Sequence, residues 1–219
     1  MTHVLKSLFM GAGLALAPAV LSGCASANYA IQERFGNEKR DILVSRVEGV
    51  ADAQGEAKEE FEDALEAFRA VVNVEAGELE STYDSLNAAY KRAESQAGEV
   101  RSRVASVKRV SRDLFREWEG ELSDYSDPAL RRSSERQLED TRARYDQLAA
   151  RMDAATASMD PVLQVFGDRV LFLKHNLNAR SIASLGAESV QLEGDVARLI
   201  AEMERSIAAA DAFIAEMRA

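Results

Sequence analysis

The sequence predicts an all-α protein, a long antiparallel coiled-coil-like bundle of about four helices, and three observations carry that prediction. Beyond residue 23 only Pro128 and Pro161 remain as prolines in a chain of 219 residues, too few breakers for the many turns of a sandwich or an α/β domain. Aromatics make up 6% of the chain, while Ala, Glu, Arg, Ser, Val and Leu are its common residues, a mix that suits helices better than strands. Between residues 78 and 123, apolar side chains recur in strict alternating steps of four and three. Such a 3.5-residue repeat specifies a narrow seam and left-handed packing against other helices.

The expected helices are 38–72, 78–123, 128–185 with a kink at 160–161, and 187–218. The first carries the seam Leu43, Val47, Val50, Gln54, Ala57, Phe61, Ala64, Phe68 and Val71. In the second, Leu79, Tyr83, Leu86, Tyr90, Ala93, Ala97, Val100, Val104, Val107, Ser111, Leu114 and Trp118 follow one another, with Ser111 the plainly polar member. The third runs from Leu138 through Thr141, Tyr145, Leu148, Met152, Ala155, Met159, Val162 and Phe166, then continues as Val170, Leu173 and Leu177. Leu185, Leu192, Val196, Leu199, Met203, Ile207, Ala210, Ile214 and Met217 make the fourth. Breaks are expected at Asn73 to Gly77 and at Ser123 to Pro128, where Asp127 is placed as N-cap and Pro128 as the first helical residue. Asp160-Pro161 repeats that pattern inside the third segment, hence the expected kink. Asn176 to Gly186 is ambiguous, with Gly186 expected at a last turn. Short connections between long helices imply antiparallel neighbours.

Residues 1–23 read as a secretory signal: Lys6 near the start, an apolar run from Leu8 to Leu21, then small residues. The run closes on Leu21-Ser22-Gly23-Cys24, which resembles a bacterial lipobox. That resemblance implies a lipid on the Cys24 thiol, cleavage before Cys24 and acylation of the new amino group; two or more acyl chains anchor a protein stably where one does not. Cys24 is the sole cysteine, so it has no disulfide partner in its own chain. Ordinary cleavage after Ala25-Ser26-Ala27, retention of Leu8 to Ala27 as a membrane span, or an incidental Cys24 are the competing readings. By resemblance to lipoproteins of two-membrane bacteria, Ala25 and Ser26 after the cysteine imply the inner leaflet of the outer membrane, facing the periplasm. The organisation expected is a signal peptide at 1–23, a lipidated tether at 24–37 and a bundle domain at 38–219.

The formal charge is −10, and from Cys24 onward 26 basic residues face 37 acidic ones. Phosphate neutralisation needs clustered positive charge, so nucleic acid is excluded as a general partner. His175 is the one histidine after the leader, and Phe172 stands three residues before it, where a carboxylate metal centre in a bundle would need Glu. No phosphate-binding loop, G-x-S-x-G elbow or HExxH motif occurs. The sequence therefore points to no enzyme, no metal, no cofactor and no small-molecule substrate.

Charge is uneven along the chain. Residues 101–112 hold Arg101, Arg103, Lys108, Arg109 and Arg112 without an acid, and residues 129–151 add Arg131, Arg132, Arg136, Arg142, Arg144 and Arg151 among four acids. A hairpin turning near Tyr125 would lay these side by side as a basic collar facing a membrane or a partner. Equally, the arginines would pair with glutamates across helices. Acids concentrate at Glu56, Glu59, Glu60, Glu62 and Asp63.

The stretches Lys39-Arg40-Asp41-Ile42-Leu43-Val44, Leu130-Arg131-Arg132-Ser133-Ser134-Glu135-Arg136, Tyr145-Asp146-Gln147-Leu148, Asp160-Pro161-Val162-Leu163 and Leu173-Lys174-His175-Asn176-Leu177-Asn178 resemble those of a proteobacterial family of predicted lipoproteins catalogued as a domain of unknown function. The resemblance spans nearly all of the mature chain and implies kinship and localisation, not an activity. The function expected is that of a membrane-anchored periplasmic lipoprotein acting as a non-catalytic scaffold, spacer or adaptor, with an envelope protein partner or self-association. An anionic-membrane-binding or lipid-handling module is the first alternative, an enzyme with an unrecognised carboxylate site the second.

Overall fold

In the computed structural model, residues 39–74, 78–186 and 189–218 are described, and Cys24 with its leader and tether lies outside them. The elements are α1 (Lys39–Val72), α2 (Leu79–Glu121), a 3-10 turn (Leu122–Asp124), α3 (Pro128–His175), α4 (Ala179–Gly186) and α5 (Ser189–Arg218). All nine seam residues of the first helix are buried, and so is the run from Leu86 to Ser111 in the second apart from Tyr90. In the third, every member from Leu138 to Leu173 except the half-buried Thr141 is buried, and in the last only Ile207 is half-buried.

Four long helices close into a ring in which α1 lies against α2 and α5, and α3 against the same two. Cross-helix contacts fix the directions. From Lys39–Glu117 at one end (2.6 Å) to Arg92–Glu60 further along (2.9 Å), α1 and α2 run antiparallel. Lys58–Glu204 (3.0 Å) and Arg69–Glu193 (2.9 Å) do the same for α1 and α5. Arg142–Glu119 (2.8 Å) joins α3 to α2, and Arg144–Glu216 (3.2 Å) joins it to α5. The architecture is an up-down-up-down four-helix bundle, as expected. With α1 starting level with Glu117, the last turn of α2 and the first turns of α3 continue past the ends of α1 and α5.

Local chemistry sets the breaks. Asp127 caps α3, its Oδ1 accepting from the amides of Ala129 (2.7 Å) and Leu130 (3.4 Å), with Pro128 in the first turn, as the sequence predicts. The helix does run through Pro161, with Met159, Val162, Leu163 and Phe166 buried on either side of it. One expectation for the third segment needs correction. The helix ends at His175, ten residues short of the expected 185. There Asn176 Nδ2 donates to the Phe172 carbonyl (3.0 Å), and Asn178 Oδ1 accepts from the Ser181 amide (3.1 Å) to start α4. Asparagine competes with helical backbone bonding in this way, and two of them in three residues stop the helix.

The buried stripe is also wider than a strict seam. Ile42, Val44, Ala53, Leu65, Ala89, Val110, Phe115, Leu163 and Phe213 are buried beside the seam positions, because each helix in a square bundle touches two neighbours at once. Polar residues interrupt the apolar interior at Gln54, Ser111, Ser134 and Ser206; Gln54 is fully buried with neither amide atom partnered, and the Ser206 hydroxyl is likewise unpartnered. An unsatisfied buried amide costs about 1–3 kcal/mol, so Gln54→Leu should raise the melting temperature by several degrees. Conversely, Val104→Asp sets a charge at a site 4% exposed and should cost several kcal/mol, while Glu119→Ala at the exposed Arg142 pair should change stability by about 1 kcal/mol or less. Chemical denaturation of the three variants checks this order; a Val104→Asp protein as stable as Glu119→Ala would remove α2 from the core.

Candidate functional site

The eleven basic residues of the collar stretches lie on α2 and α3, which the turn at 122–127 brings side by side. Six are engaged by carboxylates. Arg101 pairs with Asp160 and Lys108 with Asp153 across to α3, Arg142 with Glu119 (2.8 Å) and Arg144 with Glu216 (3.2 Å). Arg103 and Arg131 pair within their own helices, with Glu99 (2.7 Å) and Glu135 (2.9 Å). Among the described residues Arg109, Arg112, Arg132, Arg136 and Arg151 make no ion pair, and all five are exposed. The charge that the fold leaves available is therefore concentrated in fewer positions than the sequence shows.

Where α2 and α3 outrun α1 and α5, a half-open cleft of about 470 Å³ forms. Leu114, Trp118, Phe213 and Met217 supply its apolar lining, and Arg40, Gln137, Thr141 and Arg144 its polar lining, with Glu117, Glu121 and Glu216 on the walls. Arg40 donates to the Met217 carbonyl, tying the start of α1 to the end of α5. Trp118 Nε1 donates to Ser134 Oγ at 2.8 Å. Behind it Phe115, Tyr145 and Phe213 stack edge to face, with centroids 5.5 and 6.4 Å apart, and the Arg142 guanidinium lies 5.0 Å over Phe115. These contacts close the hairpin end and supply no nucleophile beside a base.

Ser134, Phe115 and Phe213 were not singled out by the sequence. One signal for Ser134 existed, since a step of four before Leu138 falls on it. The phenylalanines sit one residue off their seams and become legible only once each helix has two neighbours. His175 is exposed in the last turn of α3. Among the described residues no three His, Cys, Asp or Glu side chains are placed to hold a metal ion, and no helix is long and apolar enough to cross a membrane.

Fold and surface together define a closed four-helix bundle with an ion-paired exterior. The chain belongs to the family described as "Protein of unknown function (DUF2959)", whose family model matches residues 28–217. No curated protein and no solved structure matches it.

Burial pushes the Tyr145 hydroxyl above its ordinary range, against the opposing pull of the Ser111 hydroxyl, Lys108 and Arg112. The unfolded chain ionises first, so this contribution to stability is complete below about pH 10 and is lost as pH rises through the folded value. Thermal melts between about pH 9 and 11 should show a shallower alkaline decline for Tyr145→Phe than for the wild type; parallel declines would mean that Tyr145 titrates as if exposed.

Proposed function

We propose that this protein is a lipid-anchored envelope protein working as a non-catalytic scaffold, spacer or adaptor, held by Cys24 at the periplasmic face of the outer membrane. The observation that carries this reading is the use of the helices: their apolar stripes close on one another and their charged flanks pair across helices, leaving outward faces as the surface offered to a partner. Leu21-Ser22-Gly23-Cys24, at the end of an apolar leader, supports the anchor. Fifteen residues lead from Cys24 to Lys39, at most about 50 Å of extended chain. A bundle on so short a leash would work close to the membrane, as a spacer or adaptor must.

Metabolic labelling with a palmitate analogue tests the anchor. Wild-type chain should be labelled and sediment with outer membranes, whereas Cys24→Ala should be unlabelled and accumulate as full-length precursor. If Cys24→Ala is cut after Ala27 at the normal rate and released, the protein is an ordinary secreted one.

A further inference from the structure

We propose that the outer face of α2 between Ala88 and Arg116 docks an acidic α-helix of a partner protein. This rests on the adaptor reading above and names the chemistry of its partner. The face lies opposite the α2 seam and repeats with the same steps of four and three. Across its length of about 42 Å, in a chain of net charge −10, it contains no carboxylate. Its cations are Lys91, Arg109, Arg112 and Arg116, all exposed. Lys91, Arg109 and Arg112 have no ion pair among the described residues, and Arg116 has only Asp113 of its own helix at 3.6 Å. The rows on either side differ: Arg101 and Lys108 are answered by α3, Arg92 by Glu60 and Asp63 of α1, and the exposed carboxylates Glu94 and Glu99 stand there, Glu99 paired with Arg103.

Between these cations stand Ser95, Gly98, Ser102 and Ala105, all exposed. A Cβ added to Gly98 would meet nothing within 4 Å, so nothing among the described residues requires glycine in the middle of a long helix, where it is less stable than alanine. An anionic lipid surface would ask for the positive charge alone. A second helix asks for both features, because small side chains at this spacing let two helix axes come close while the flanking arginines take bidentate carboxylates.

The test is a photocrosslinking residue placed at Ser102 in the full anchored chain in cells, with control positions at Ala70 of α1, Ala157 of α3 and Ala197 of α5, each exposed. The adduct at Ser102 is sequenced by mass spectrometry. Expected is a protein peptide with carboxylates recurring at three- and four-residue steps. Its yield should fall at least about tenfold with Arg109→Glu/Arg112→Glu/Arg116→Glu. A second variant, Gly98→Leu, should lower the yield likewise while melting no lower than the wild type. A lipid adduct, an adduct with a second copy of this chain, a peptide without that acidic spacing, or a yield unmoved by either variant overturns the proposal. Protein adducts at the control positions but not at Ser102 overturn this face and leave the adaptor reading standing; no protein adduct at any position overturns both.

Discussion

Each long helix of this protein has one apolar stripe, and the fold follows from the need to hide four such stripes at once. A single pair of helices would leave half of each stripe in water, since the buried surface on α1 alone includes Val44 and Ala53 as well as Leu43, Val47 and Val50. The ring of α1, α2, α3 and α5 gives every helix two neighbours. Side-chain size then sets local spacing. Ala53, Ala57 and Ala64 on α1 and Ala89, Ala93 and Ala97 on α2 are all buried, which lets these two helices lie close enough for Gln96 Nε2 to reach the Ala53 carbonyl and Arg103 the Gly49 carbonyl, both at 3.3 Å. At the hairpin end Phe115, Tyr145 and Phe213 take the place of alanines, and there the cleft opens.

Legibility in the sequence tracks how local the cause is. Seams were readable because a repeat of 3.5 residues is a property of one helix, and most of their members are buried, while Leu79, Tyr83, Leu114, Trp118 and Leu177 toward helix ends are half-buried. Asp127-Pro128 was readable because a cap depends on three residues. The same pattern at Asp160-Pro161 lies inside α3, where Met159 and Val162, both buried, hold the helix continuous across the proline. The end of α3 could not be placed, since Asn176 and Asn178 declare themselves only through bonds to the Phe172 carbonyl and the Ser181 amide. Which arginines of the collar are neutralised was beyond sequence reading for a related reason. Pairing of Arg101 with Asp160 or Arg144 with Glu216 depends on the register between helices, and one heptad of slip would pair other residues.

Those exposed ion pairs contribute little individually to stability. Their effect on the surface is larger, because every pair removes a charge that a partner would otherwise meet. After that subtraction the exterior shows an outward face of α1 rich in acids and, on α2, one outward row from Ala88 to Arg116 without any, flanked by the exposed Glu94 and Glu99.

These two faces belong to adjacent helices, so their failure to neutralise one another needs a cause, and the antiparallel register supplies it. Glu56 and Glu60 of α1 are level with Gln96 and Arg92 of α2, while Lys39 is level with Glu117. Arg109, Arg112 and Arg116 therefore sit near the start of α1, about twenty residues, or roughly 30 Å of helix, from the acidic cluster. At physiological salt the screening length is about 8 Å, so the two ends do not feel each other's charge. These arginines and the acidic cluster of α1 therefore lie too far apart along the axis to pair with each other. An acidic helix lying on α2 would be attracted at the arginine end and repelled toward Glu56–Glu66, which fixes where along the face it stops. Register for such a partner would thus come from the same antiparallel alignment that buries the core.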